Sequence, residues 1–320
     1  KAWPGYSELK SADIVHLHWV GNSFLNLQDF EGLKAKFVWT LRDWWPLTGG
    51  WHIPQEFEQF LENRESHSFI PGRFLANLVV KEQFKKASFL RSTSKVKAIA
   101  QSDFMRKDAE RALDLLPGSV GVIPSSINDA VYKYREKKVA RERLGLLPGV
   151  SIVAVGATNV NDVHKGLQLL KKIPKSSKLR QSLFLIFGSG NLTLPKDVVR
   201  REYGFVDSES MMCDIYTASD IVLCPSLYES FGKVALESIA CGTPVIAFTG
   251  TGQAEIVERT GGGRLALSNN ADSFFCEAEA QLDELTEEFR STIAQRAYQE
   301  YSSERVVSDY INLYSNLLCD

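Results

Sequence analysis

The stretch Pro225-Ser226-Leu227-Tyr228-Glu229-Ser230-Phe231-Gly232-Lys233-Val234-Ala235-Leu236-Glu237 concentrates groups that could do chemistry. It holds two glutamates eight residues apart, a glycine and a lysine. Spacing alone carries little. A second pair, Glu279 and Glu287, has the same separation in a charged helical region, and no function is read into it. The first pair differs by context. Glu229 follows an apolar run that reads as a buried strand and precedes a Gly-containing turn, whereas Glu237 falls about two turns into the next helix. Eight residues advance the helical angle to about 80° off a common face, so one carboxylate belongs to the loop and the other to the helix. The backbone N–H groups of Ser230, Phe231 and Gly232 then open a helix, where unpaired donors suit phosphate or sugar hydroxyls. The plainer alternative is a helix-capping Glu followed by a solvated one.

Those residues need a frame, and composition bounds it. The chain has 320 residues, a length expected for about two domains. Apolar residues make up 44%, charged residues 24%, and the net charge is −2. That balance is ordinary for a globular protein and lacks the basic footprint of a nucleic-acid binder. No apolar run reaches the roughly 18 residues of a membrane span. The five cysteines (Cys213, Cys224, Cys241, Cys276, Cys319) show no C-x-x-C spacing, so they read as reduced thiols of a cytoplasmic protein with neither a disulfide framework nor a zinc site.

Short β-rich runs alternate with helical stretches, the pattern of parallel strands with crossover helices. In the first part strands are expected at Ile14–His18, Phe37–Leu41, Val96–Ala100 and Val120–Pro124, with a helix over Arg73–Leu90. The stretch Ile123–Gly149 reads as the hinge. The second part is expected to have strands at Ser151–Val155, Leu183–Phe187, Ile221–Cys224 and Pro244–Phe248. Its helices are expected at Gly166–Ile173, Asp214–Ala218, Lys233–Cys241 and Gln253–Arg259, followed by a helical tail from Ala271 to Leu318. Unbroken apolar runs such as Ile221–Cys224 suit strands buried on both faces. The fold class is therefore α/β: two doubly wound Rossmann-like domains facing a cleft. They cover 1–135 and 136–302, and a C-terminal helix over 303–320 is expected to pack back toward the first.

With this frame in view, the residues resemble family 4 of the retaining glycosyltransferases, with the GT-B fold. The resemblance rests on Glu229 to Glu237 followed by Ala240-Cys241-Gly242-Thr243-Pro244, on Ala12-Asp13-Ile14-Val15-His16-Leu17-His18-Trp19 and on Val38-Trp39-Thr40-Leu41. It rests also on Val155-Gly156-Ala157 with His164-Lys165-Gly166, and on Tyr216-Thr217-Ala218-Ser219-Asp220. Asp43-Trp44-Trp45-Pro46-Leu47-Thr48-Gly49 is similar to the bacterial polysaccharide-building branch. The resemblance implies that Glu237 binds the ribose hydroxyls of a nucleotide-diphosphate sugar. It implies that Glu229 holds the donor sugar, helped by the amides of Ser230, Phe231 and Gly232, and that Lys165 sits on the diphosphate. His18 would reach the donor sugar from the first domain, and Gly188 and Gly190 would let backbone approach the phosphates. It implies transfer of a hexose with retention to a hydroxyl of a cell-surface polysaccharide or its lipid-linked precursor. No metal and no cofactor beyond the nucleotide sugar are implied, because a lysine and preorganised N–H groups can stabilise the leaving diphosphate. His18 shares a strand face with His16, so a packing role is the alternative for it.

The chain departs from the family in three places. Ala157 stands where Arg is common, and Arg42 stands where the branch has His, so no base is expected there. The family's opening strand and Gly-Gly turn are missing, so the first domain reads as incomplete and residues upstream are expected. Trp44 and Trp45 are candidates for the acceptor side, with core packing as the alternative. The segment Lys81–Lys97, with Lys81, Lys85, Lys86, Arg91, Lys95 and Lys97 interleaved by Phe84, Phe89 and Leu90, is expected either as a peripheral contact with the inner face of the membrane or as a solvated helix face. A nicotinamide dehydrogenase is disfavoured by the broken G-x-G at Gly188–Gly190, and a GT-A enzyme by the lack of Asp-x-Asp. A non-catalytic GT-B-like partner of a glycosylation complex is the alternative class, with a sugar phosphorylase or epimerase behind it.

Overall fold

The structure, a computed structural model, describes residues 6–20, 27–30, 32–54, 72–92 and 95–319. The chain divides into two compact units, Lys1–Pro124 together with Ser308–Asp320, and Ser125–Val307. Both are α/β with wholly parallel sheets.

In unit 1 the described strands are β1 (Ile14–Leu17), β2 (Lys36–Leu41), β3 (Val96–Ala100) and β4 (Gly121–Val122), in the order β1-β2-β3-β4. Helix α1 (Tyr6–Ser11) precedes β1, α2 (Gly72–Arg91) lies between β2 and β3, and α3 (Asp103–Ala112) between β3 and β4. Strand β2 buries Phe37, Val38, Trp39 and Leu41 completely, as expected of a central parallel strand. The side chain of Phe89 on α2 closes over it, its ring 5.4 Å from Phe37 and 6.0 Å from Trp39. Helix α3 has no counterpart in the sequence pattern. Its run DFMRKDAERA turns only Met105, Ala109 and the stem of Glu110 inward, too few to mark a stripe, and its start is set by Ser102, which accepts the Met105 N–H at 3.0 Å. The fourth strand is shorter than expected, two residues instead of five.

Unit 2 has six strands in the order β10-β9-β8-β5-β6-β7. They are β5 (Ile152–Asn159), β6 (Leu183–Ser189), β7 (Arg200–Gly204), β8 (Ile221–Cys224), β9 (Val245–Phe248) and β10 (Gly263–Ala266). Its helices are α4 (Lys137–Arg143), α5 (Glu209–Ala218), α6 (Lys233–Ala240), α7 (Gly252–Thr260), α8 (Ala271–Asp283) and α9 (Glu287–Tyr301), with α10 (Ser303–Cys319) running on into unit 1 from Ser308. Alternate residues of β5, β8 and β9 enter two apolar clusters, one on each side of the sheet: Ala154, Val222 and Val245 in one, Val153, Leu223 and Ile246 in the other. The two strands absent from the sequence reading, β7 and β10, are the sheet edges. Strand β7 reads Arg-Arg-Glu-Tyr-Gly and is mostly exposed, so it carries edge-protecting charges instead of an apolar run. The segment expected as a helix at Gly166–Ile173 is 3-10 over Leu167–Lys172. Within the 123–149 stretch, α4 is fastened to unit 2 by Asp220, whose carboxylate accepts Lys137 at 2.6 Å, Arg141 at 3.0 Å and the Ile152 N–H at 2.7 Å.

Candidate functional site

The chain builds unit 2 outward from β5 through β6 to β7, then returns to place β8 on the other side of β5. This reversal leaves a crevice beyond the C-terminal ends of β5 and β8, the place where open parallel sheets bind ligands. The segments leaving those two strands hold Lys165 and Glu229. They are stitched together: Leu227 N–H donates to His164 O at 2.8 Å, and Gly166, at φ +66°, leaves no room for a side chain because a Cβ would lie 1.9 Å from Pro225 O. Across this seam the Lys165 ammonium donates to the Glu229 carboxylate at 2.7 Å, and each side chain is only about a quarter exposed or less, at 25% and 20%. The structure thus joins two of the residues singled out from sequence, 64 positions apart, into one ion pair.

The same loop runs into α6. Gly252 N–H donates to Glu229 O at 2.8 Å, and Gln253 Nε2 to Cys224 O at 2.6 Å, so the start of α7 braces the loop. Gly232 caps α6 at φ +104°, with the Gln253 Cβ 2.6 Å from where its own Cβ would be. Ser230 and Phe231 are buried, and the Phe231 ring packs against Tyr301 at 5.9 Å. Phe231 is therefore a core side chain, and only its backbone can serve a ligand at the helix N-terminus.

Glu237 lies on α6 and lines a cavity of about 200 Å³ together with Ser126, Asn128, Tyr132, Glu209 and Lys233, among others. The volume is below the 300–1,000 Å³ of a whole small-molecule site and suits a fragment the size of one sugar ring. Asn128 donates to Glu209 at 2.8 Å on its wall. The fully buried Tyr216 of α5 donates its hydroxyl to Glu237 at 3.2 Å. Burial pushes the Glu237 carboxyl up to about 7, against the lowering effect of Lys233 and of the Tyr216 hydrogen bond. Removing that donor in Tyr216→Phe should move the Glu237 titration to still higher pH and cost about 1 kcal/mol of stability. An NMR pH titration of the Glu237 carboxyl checks this. An unmoved midpoint would mean that the hydroxyl does not hold the carboxylate. Tyr216, Asn128, Glu209 and Lys233 were not assigned roles from sequence; Tyr216 carried a signal as part of the Tyr-x-x-Ser-Asp stretch and Lys233 as part of the Pro225–Glu237 stretch.

Gly188 and Gly190 end β6, at φ +110° and +96°. A Cβ on Gly188 would fall 1.7 Å from Ala157 O, and one on Gly190 2.6 Å from Asn161 Nδ2. Packing of β6 against β5 already requires Gly188, whatever approaches it from outside, whereas Gly190 is favoured by its positive φ and meets only side-chain atoms. Ala157 is buried in the apolar cluster on that side. Glu279 accepts a hydrogen bond from Ser177. All five cysteines are free thiols, and among the described residues no three His, Cys, Asp or Glu side chains gather as a metal set.

His18 belongs to unit 1, at the end of β1, with its ring 4.1 Å from His16 and its carbonyl accepting Trp39 Nε1–H at 3.0 Å. His16 is tied into a network: Nδ1 to Tyr314 OH at 2.5 Å, Nε2 to Thr40 Oγ1 at 2.8 Å, and Thr40 Oγ1 to Tyr310 OH at 2.9 Å. Burial and the neighbouring His18 and Arg42 lower His16 to about 4, and burial with Arg42 lowers His18. His16 is thus a neutral structural imidazole and His18 the more exposed of the pair. Trp44 is buried and donates to Asp108 of α3 at 3.1 Å, and Trp45 lies under the Lys86 ammonium, 3.8 Å from the ring centroid. Trp44 thus presents no open ring, and one face of the half-buried Trp45 is taken by Lys86.

Comparison with known structures places this architecture in the GT-B class of two Rossmann-like units. A sucrose-phosphate synthase from Thermosynechococcus elongatus superposes with TM-score 0.69 at 18% identity, covering 98% of this chain and 76% of that one. The Anabaena protein HepE, solved in complex with UDP-glucose, superposes with TM-score 0.65 at 16% identity, covering 97% and 80%. In sequence, residues 149–284, most of unit 2, match the family described as Glycosyl transferases group 1. An uncharacterised glycosyltransferase of Methanocaldococcus jannaschii is 30% identical over 165 residues, 47% of this chain and 42% of that protein. A D-inositol 3-phosphate glycosyltransferase of Catenulispora acidiphila is 28% identical over 206 residues, 58% and 47%. The chain thus matches less than half the length of each of these two relatives.

Proposed function

We propose that the chain is a retaining glycosyltransferase that moves a hexose from a nucleotide-diphosphate sugar to a hydroxyl of a cell-surface polysaccharide or its lipid-linked precursor. The observation that carries this reading is the Lys165–Glu229 pair at the β5/β8 crevice, followed on the next helix by Glu237 in a cavity of sugar-ring size. The match of residues 149–284 supports it, as does the likeness to a protein that holds UDP-glucose. In this reading Glu237 takes the ribose hydroxyls, Lys165 the diphosphate, and Glu229 the donor-sugar hydroxyls with the N–H groups at the start of α6. His18 serves the donor sugar from unit 1. The bond between the anomeric carbon and the phosphate oxygen breaks, the acceptor oxygen attacks from the leaving-group side, and a phosphate oxygen takes its proton. Lysine and oriented N–H groups stabilise the charge that collects on the diphosphate. A panel of nucleotide sugars tested by thermal unfolding and by nucleoside diphosphate release decides the matter. The cognate donor at 100 times its Kd should stabilise by about 2.7 kcal/mol. A panel with neither stabilisation nor release would contradict the reading.

The acceptor proposal includes a bilayer contact. The Lys81–Lys97 segment divides in the structure: Lys86 is buried and donates to Trp45 O at 2.7 Å, Phe89 and Leu90 face the core, and Lys97 lies on β3. Leu78, Val80, Lys81 and Phe84 remain exposed on α2. Among the described residues no helix is long and apolar enough to cross a membrane. Vesicles rich in anionic lipid should co-sediment the protein, and Phe84→Asp should weaken this about tenfold, in line with a buried aromatic side chain. Binding indifferent to anionic lipid would remove the contact.

A further inference from the structure

At the C-terminal ends of β1 and β2, unit 1 presents an aromatic face that no role above uses. Of the described tryptophans, Trp19 is the one with an exposed ring, 43% accessible, whereas Trp39 and Trp44 are buried. The His52 imidazole lies beside it nearly parallel, with centroids 6.3 Å apart and planes at 23°. His52 is held in place: its Nδ1 meets the Asp43 carboxylate at 2.6 Å, and Asp43 in turn accepts the Trp45 N–H at 2.9 Å. Thr48 closes the same loop by donating to Trp51 O at 2.6 Å and accepting the Trp51 N–H at 3.0 Å. A carboxylate only accepts hydrogen bonds, so Nδ1 carries the proton in this pair and Nε2 is the ring nitrogen left for a second partner.

We propose that Trp19 and His52 form a pyranose-binding platform, the indole face taking the C–H face of one hexopyranose ring and His52 Nε2 hydrogen-bonding one of its hydroxyls. The chemistry fits a sugar better than an aliphatic partner. A rigid indole face offers apolar contact at little entropic cost, while an imidazole nitrogen held in place beside it meets hydroxyls that lie around a pyranose rim. Trp44 is buried and Trp45 is half-buried with Lys86 over one ring face, so Trp19 is the better platform of the three. Identifying the bound ring with the acceptor glycan rests on the proposed glycosyl transfer; the binding itself does not.

The test uses the full chain and a panel of methyl hexopyranosides and disaccharides of gluco, galacto and manno configuration, followed by saturation-transfer NMR and titration. At least one should bind the wild type. Trp19→Ala should weaken it by about tenfold or more, Trp19→Phe should keep it within about threefold, and His52→Ala should weaken it by about fivefold. UDP affinity, measured on the same samples, should be unchanged by all three. No binding by any saccharide, or equal binding to Trp19→Ala and wild type, overturns the platform. Failure of UDP to bind the wild type instead contradicts the donor site of unit 2 and leaves the saccharide result to be judged on its own.

Discussion

Glu237→Gln is expected to make the protein more stable above neutral pH while removing its grip on a nucleoside. The carboxyl titrates near 4.5 when exposed and at about 7 in the folded chain. Between those values the folded state holds the proton more tightly than the unfolded state, so stability falls as pH rises through that window and the full cost is present above pH 7. A shift of this size corresponds to about 2–3 kcal/mol after allowing for partial solvent access. Gln keeps an acceptor for the Tyr216 hydroxyl and cannot ionise. Melting curves of variant and wild type should coincide near pH 4 and separate progressively toward pH 8, the variant melting higher. The same substitution removes the charged acceptor that the proposal assigns to ribose, a loss of about 1.5–3 kcal/mol, or roughly 10–150-fold in nucleoside affinity. Stability gained where function is lost is the usual signature of a group kept for binding. Melting curves that run parallel at every pH would show that the buried proton does not exist.

Lys165→Ala should separate the two halves of the donor. It removes the cation that faces Glu229 at 2.7 Å and leaves the cavity around Glu237 intact. Because the pair is only partly buried, the cost in stability is modest, about 1 kcal/mol or less. The cost to a diphosphate is larger, roughly 10–150-fold, since a charge-assisted contact to phosphate disappears and an uncompensated Glu229 carboxylate remains beside it. Calorimetry with UDP and with uridine should show the first weakened and the second unchanged. Equal losses for both ligands would place Lys165 outside the diphosphate site.

How much of this was legible beforehand follows from how each feature is encoded. Strands β8 and β9 are four-residue apolar runs with every residue buried, and they stand in the sequence where the structure has them. Strand β7 and helix α3 are built from charged residues at an edge and on a surface, so hydrophobic periodicity has nothing to register. The hidden α3 also explains why the sequence left Trp44 open between acceptor side and core: its partner, Asp108, sits on that helix, and the ring is buried. Glu229 was singled out by its context and Lys165 by resemblance, but their pairing depends on the β5/β8 reversal and on Gly166 packing against Pro225, neither of which spacing can express. The Tyr216–Glu237 bond likewise comes from α5 packing beside α6. His52 drew no notice because its contact with Asp43, nine residues away, is made by a loop that folds it back.

The central claim is that unit 2 holds a nucleoside diphosphate with its ribose at Glu237 and its phosphates at Lys165. A crystal structure of the protein soaked with UDP tests it most directly. The account predicts density with the ribose hydroxyls within hydrogen-bond distance of the Glu237 carboxyl and a phosphate oxygen within 3 Å or so of Lys165 Nζ, the ammonium turned from Glu229 toward it. Ordered UDP bound elsewhere, or an empty crevice at saturating UDP, would contradict it.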